Sequence, residues 1–379
     1  MSEPFKAAVV GPSRVGKTTL LTAILADTAE LLAGTPVSVA LDEATASRVR
    51  RQKGHLRSAI EAGEFDAAAL GGTQAMSVYE IKLQADGDVG LEIPFRILDY
   101  PGGWLDPDMR ARSPEAGKEW PSCEAHIKDS IMLLLPIDAA VLMEASTPAQ
   151  RAAVPELLGL VDVEAVAERW AKIRNQHPAE PAVLLLAPLK CEKYFSDNGG
   201  AGQEAGRLRK LVREKYKEVL RIVAAECKDR MVHVVYAPID TYGCVELMEA
   251  EWLRLGSGGL DFRGHYRFRG RPPTISVKAA GTIMQELCRA ILDTEIGRTT
   301  ESIDASLSAY TRLLERKAAP KGGFLNTLSY YLGNEVWENR AGRQRTQQEI
   351  ARAQRQREQL REAVEKLVAS PSDDRVEVW

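Results

Sequence analysis

The stretch Gly11-Pro12-Ser13-Arg14-Val15-Gly16-Lys17-Thr18 decides the fold of this chain. It fits G-x-x-x-x-G-K-[ST], and its surroundings suit the physics behind that pattern. Ala7-Ala8-Val9-Val10 before it is an apolar run of strand length, and Thr19 to Leu25 after it opens a helix. A tight loop between strand and helix aims backbone N–H groups and the positive end of the helix dipole at one spot, where phosphate oxygens bind. Gly11 and Gly16 permit backbone conformations and approaches that a side chain would block. Ser13, Arg14, Val15, Gly16 and Thr19 are then phosphate-contacting positions. Lys17 supplies a point charge for β- and γ-phosphates, and the Thr18 hydroxyl is a Mg²⁺ ligand.

The composition places few other constraints. The chain has 379 residues, 45% hydrophobic and 27% charged, enough for one large globular domain with an appendage. A net charge of −3 gives no global reason to expect nucleic acid as a partner. No apolar run has the length needed to cross a bilayer. The first residues run directly into the strand and leave no room for a signal peptide. Five scattered cysteines, without C-x-x-C spacing, suit reduced thiols rather than zinc or disulfides. A cytoplasmic protein is the expectation.

Downstream, the polar, Ala-rich stretch from Pro36 to Phe65 is predicted helical. Ser77–Gln84 and Leu91–Leu98 alternate apolar and polar residues around Asp86-Gly87-Asp88, a hairpin signal with Pro94 as a mild misfit. An antiparallel hairpin ending in an acidic residue inside a βα chain is the arrangement of Ras-like GTPases. Strands are predicted at 131–137, 182–187 and 231–236, and helices at 161–174 and 204–227. Residues 274–296 begin extended and close as a helix. This alternation implies a doubly wound, mostly parallel α/β sheet with one antiparallel hairpin strand. Residues 253–273 interrupt it with glycines, arginines and aromatics. The arginine–aromatic run Phe262–Arg271 resembles single-strand nucleic-acid binders, but a hairpin covering the domain suits a slightly acidic chain better. The GTPase-like domain is expected over 1–299 and a helical C-terminal region over 300–379. The latter holds a helix at 302–317, a break at 318–323, an aromatic patch from Phe324 to Trp337, and a polar helix at about 340–368. Ile350, Ala353, Leu360, Val364 and Leu367 on that last helix form a short seam, for packing on the domain or for a coiled-coil dimer. The aromatic patch suits packing better than a membrane surface.

Asp99-Tyr100-Pro101-Gly102 fits D-x-x-G at the end of the hairpin's second strand. A carboxylate there holds Mg²⁺, and the Gly102 N–H senses a γ-phosphate. Thr73, just before the hairpin, is the expected switch threonine closing over Mg²⁺ and γ-phosphate. The place of the guanine-reading [NT]-K-x-D motif holds Leu189-Lys190-Cys191-Glu192, a degenerate version or a site tolerant of adenine. Ala237-Pro238 is expected to close the base pocket, with Ser276-Val277-Lys278 as a rival. Where many Ras-like enzymes carry a water-orienting Gln, Gly103 and Trp104 stand, so hydrolysis should be slow. Arg14 is a candidate charge toward the phosphates in cis.

These motifs resemble the YcjX-like bacterial stress proteins, Ras-like GTPases of the TRAFAC class with an S-R-x-G-K-T loop and an L-D-Y-P-G-E-W-L second switch. The matching residues are Gly11–Thr18 and Leu98–Leu105, with Arg271-Pro272-Pro273 after an irregular insertion. The resemblance spans roughly residues 5–295. It implies phosphate contacts from Ser13, Gly16 and Lys17, Mg²⁺ contacts from Thr18 and Thr73, and a switch at Asp99–Trp104. Gly103 departs from the family's Glu, and the C-terminal region matches no known pattern. A sister family is the alternative.

Together these readings lead to the expectation of a Mg²⁺-dependent GTPase switch binding GTP and GDP, with Trp104 displaying the nucleotide state to a protein effector or activating partner. A nucleotide-binding scaffold with little turnover and an ATPase are the alternatives.

Overall fold

Two strands with no polar face form the centre of the main sheet. In a computed structural model describing residues 4–63, 65, 73–86, 92–178, 180–197, 202–228, 231–256, 258–293, 355, 358–371 and 373–379, they are Met132–Asp138 and Val183–Leu189. Both are buried at every residue. Such continuous apolar runs suit parallel strands covered by helices on both faces.

In chain order the elements are β1 (Phe5–Val9), α1 (Lys17–Leu31), β2 (Val37–Leu41), α2 (Glu43–Ala62), β3 (Ser77–Ala85), β4 (Glu92–Asp99), α3 (Pro107–Ala111), α4 (Pro114–Asp129), β5 (Met132–Asp138), α5 (Ala139–Met143), α6 (Pro148–Leu157), α7 (Leu160–Gln176) and β6 (Val183–Leu189). Then follow α8 (Ala205–Lys215), α9 (Lys217–Glu226), β7 (His233–Tyr236), β8 (Val245–Arg254), β9 (Leu260–Phe268), α10 (Thr282–Asp293), a helix α11 at 358–369, and β10 (Glu377–Val378). The main sheet runs β10-β7-β6-β5-β1-β4-β3-β2. Pairs from β4 through β7 are parallel, while β3 lies antiparallel to β4, β2 to β3, and β10 to β7. Pro94 precedes the first β1–β4 pair, Phe5 with Phe95. β8 and β9 form a separate two-stranded sheet.

One core layer packs α1, α10 and α11 on the sheet, with Leu20, Ile24, Ile283, Leu287, Leu360, Val364 and Leu367 buried together. The other packs α4, α7 and α9 through Trp120, Trp170 and Val219. Helix starts are capped locally. Asp42 accepts from the N–H groups of Ala44 and Thr45 at α2, and Thr147 with Gln150 forms a capping box at α6.

The α/β reading and the antiparallel hairpin agree with this architecture, and several local expectations do not. Residues 36–65 are a strand followed by a helix. The helix expected over 204–227 is two helices that meet at Tyr216. The region expected to be irregular from Leu253 is the second half of a hairpin that begins at Val245 with a register shift between Leu247 and Glu249; it covers the domain as expected, its Trp252 and Phe262 packing on the second core layer. The seam of the C-terminal helix turns inward, since Leu360, Val364 and Leu367 belong to the domain core. The helix at 302–317, the break at 318–323, the aromatic patch, Ile350 and Ala353 lie outside the described residues. No helix among the described residues is long and apolar enough to cross a membrane, and all five cysteines are buried and outside any disulfide.

The C-terminal segment is held by charge as well as by apolar contact. Arg375 lies 2.8 Å from Asp240, which is wholly buried, and also binds Asp197 with two nitrogens. Replacing Arg375 by Met leaves Asp240 buried without its cation. Urea unfolding of Arg375→Met should show a loss of about 3–5 kcal/mol, and an unchanged midpoint would deny this ion pair a structural role.

Candidate functional site

The loop after β1 is shaped by two residues of left-handed backbone, Arg14 (φ 63°) and Gly16 (φ 105°). Between them Val15 turns into the core, and α1 starts at Lys17 with Leu20 N–H on Gly16 O at 2.9 Å. Gly11 sits against Pro136 on β5, where an added Cβ would lie 3.1 Å from Pro136 Cγ. The N–H groups opening α1 thus face the same space as the loop, the electrostatic setting for an anion.

Lys17 is only 5% exposed and folds over the loop, donating to Gly11 O at 3.0 Å and Pro12 O at 2.9 Å. Burial pushes its ammonium down to about 8, against the opposing pull of the Asp99 carboxylate. Asp99 ends β4 and is 1% exposed. Its Oδ2 accepts from Thr18 Oγ1 at 2.8 Å and from Thr73 Oγ1 at 2.9 Å, and the two hydroxyls are 2.7 Å apart. Three short oxygen–oxygen contacts therefore share two hydroxyl protons. Burial, the largest influence on Asp99, raises its carboxyl pKa, opposed by Lys17 and by the two hydroxyls. Asp99 Oδ1 is buried and has no side-chain partner among the described residues.

The segment after Asp99 is pressed onto the loop. A Cβ at Gly102 would lie 2.2 Å from Ser13 N and 2.4 Å from Pro12 C, whereas one at Gly103 would meet nothing nearer than 3.8 Å. Trp104 is 6% exposed and packs within the second core layer, its carbonyl held by Arg110, which also lies 4.1 Å over the Trp120 ring. The expectation that Trp104 displays a nucleotide state at the surface is therefore corrected: its indole is core.

On the other side of the loop, Lys190 has left-handed backbone (φ 58°) and reaches Arg14 O at 2.9 Å and the Asp138 carboxylate. It ties the end of β6 to the loop and to the end of β5. Glu192 is turned away, 4% exposed, accepting from the Gly243 N–H. Burial, with Asp240 nearby, pushes it up to about 8. Ala237 is wholly buried, and its N–H donates to Leu186 O at 2.9 Å. It continues the β6–β7 pairing, its one donor spent on the sheet. Thr19 hydrogen-bonds the Tyr242 side chain. The Arg14 side chain is exposed.

The geometry thus brings Gly11, Ser13, Arg14, Val15, Gly16, Lys17, Thr18 and Thr19 together with Thr73, Asp99, Gly102 and Lys190, and leaves Ala237 and the Glu192 carboxylate outside. Asp138 was missed, although a carboxylate directly after the apolar run 131–137 is a visible signal. Tyr242 and Tyr266 had none, because their approach depends on the hairpin. Among the described residues no group of three or more His, Cys, Asp or Glu side chains is arranged to hold a metal ion by itself. Comparison with known protein families and with curated proteins finds no match, so the site is interpreted from its own residues and geometry.

Two outcomes follow. Gly102→Ala should lose about 1–3 kcal/mol in urea unfolding through overpacking against backbone, while Gly103→Ala should lose under about 0.5 kcal/mol. Equal losses would mean that the close approach at Gly102 is absent in solution. For Lys17, the folded pKa lies below the unfolded value of 10.5, so between about 8 and 10.5 the unfolded chain holds more protons and stability rises with pH. The unfolding free energy of the native chain, minus that of Lys17→Met, should climb across this window by on the order of 3 kcal/mol. A flat difference would place Lys17 in water.

Proposed function

We propose that this chain is a P-loop GTP-binding protein that uses Mg²⁺, hydrolyses slowly, and switches on the presence of a γ-phosphate. The observation that carries this reading is the convergence of Thr18, Thr73 and Asp99, from three separate segments, on one buried spot beside Lys17. The strand order β3-β4-β1-β5-β6-β7 with β3 antiparallel, and the bond from Lys190 to Arg14 O, support it.

The residues suit the cation. Two hydroxyls and a carboxylate are hard oxygen donors, and Mg²⁺ takes few protein ligands while keeping water and phosphate oxygens. The buried Asp99 Oδ1 accepts no side-chain hydrogen bond among the described residues, which leaves an acceptor for such a cation. When bound, Mg²⁺ neutralises charge on the phosphate oxygens. The chain's own part is to hold the phosphates with loop amides and Lys17, to close Thr73 over them, and to bring the Gly102 backbone alongside. A bound γ-phosphate requires Gly102 to back away from Ser13, so the closeness of these two backbones is what a triphosphate would change.

A second reading, a nucleotide-binding scaffold with little turnover, is favoured by Gly103, which offers no side chain to orient water. The Gly103 position has room for one, so the two readings separate by experiment.

Binding of fluorescent GTP and GDP analogues in Mg²⁺ tests the reading. Lys17→Ala should abolish both affinities. Thr73→Ala should weaken GTP by about tenfold or more and GDP little, because only GTP offers a γ-phosphate. Equal losses would remove Thr73 from the switch. Turnover of the native chain should fall near the roughly 10⁻³ s⁻¹ scale of unassisted GTPases. Gly103→Gln should raise it with little change in binding if the site is hydrolytic, and leave it flat if the chain is a scaffold. If neither GTP nor GDP binds, the proposal fails.

A further inference from the structure

The groups around Lys190 that would read a base edge are already partnered. Ala237 N–H donates to Leu186 O, Ser276 N–H to Tyr242 O, and Asp240 and Lys278 exchange backbone hydrogen bonds at 3.2 and 3.0 Å. The Glu192 carboxylate is buried under the Gly243 N–H. Leu189 has no polar side-chain atom, and its Cδ1 lies 3.4 Å from where a Gly16 Cβ would be.

A flat surface stands beside them. The half-buried Tyr266 ring, on β9, has its centroid 6.0 Å from Lys190 Nζ. Gly264 permits this placement, because a Cβ there would lie 2.7 Å from Tyr266 Cε2 and Oη. The ring folds back along its own strand over the space that a side chain would fill. A planar base between Lys190 Nζ and this ring needs two contacts of about 3.5 Å each, about 1 Å more than the present 6.0 Å spacing. That is a small displacement for a hairpin that shares no ladder with the main sheet.

We infer that the base is gripped by its faces, between the Lys190 ammonium and Tyr266, and not by its edges, so purine nucleoside triphosphates of either base bind this site with similar affinity. The inference rests on the nucleotide reading above and changes its substrate class. Stacking tolerates base identity because every base has a π-face, whereas sites built on hydrogen bonds to a substrate reject analogues that lack them by large factors.

Calorimetric titration of the full chain in Mg²⁺ with GTP, ATP and inorganic tripolyphosphate tests it. GTP and ATP should bind within about fivefold of each other, Tyr266→Ala should weaken both by about tenfold, and Tyr266→Phe should leave both unchanged. Tripolyphosphate should bind all three chains alike, which also reports that the variants are folded. A preference above about 100-fold for one purine, or nucleotide affinities indifferent to Tyr266→Ala, would overturn the inference and leave the phosphate site standing. Failure of tripolyphosphate and both nucleotides to bind the native chain would overturn the nucleotide reading itself.

Discussion

Asp99 is a carboxylate at the end of a strand, removed from water, with a buried lysine nearby and two hydroxyls on one oxygen. Neither charge would be stable there alone. Burial raises the pKa of the acid and lowers that of the base, and each partly offsets the penalty of the other. Because the groups that meet this carboxylate come from the start of α1, the segment before β3 and the end of β4, one electrostatic need gathers three parts of the chain. The loop after β1 and the turn after Asp99 are then forced into contact, and only a glycine at 102 fits between them.

The far side of the loop is ordered differently. Lys190 is held by a carbonyl and a carboxylate, so its stem has a fixed course. The segments beside it spend their polarity on one another. Cys191 donates to Asp240, Asp240 answers to Arg375 and pairs with Lys278, and Glu192 takes the Gly243 amide. Hydrogen bonds and ion pairs of this kind stabilise a buried polar region.

What the sequence disclosed was mostly local. The strand–loop–helix around Lys17, the alternation of β3 and β4, and the apolar runs of β5 and β6 are written within short windows, and the sheet follows from them. β2 was hidden because Val37, Val39 and Leu41 alternate for only five residues before Asp42 caps the next helix. The break at Tyr216 was hidden because Leu208, Val212, Val219 and Val223 keep helical spacing straight across it. The arginine–aromatic run read as a hairpin covering the domain, but its first strand, β8, escaped because a register shift between Leu247 and Glu249 spoils the alternation. At the site, the motif residues were legible, while the turning of Glu192 and the approach of Tyr266 are set by residues more than fifty positions away.

The place of β1 has a consequence for synthesis. It lies between β4 and β5, and both of its neighbours are parallel and made much later. At about 5–20 residues per second, the ribosome takes on the order of ten seconds to travel from β1 to β5. Before β4 emerges neither edge of β1 has its parallel neighbour, and before β5 emerges one edge still lacks it. A nascent chain of this protein therefore carries an unfinished central strand through much of its translation, the interval in which a chaperone has most to protect.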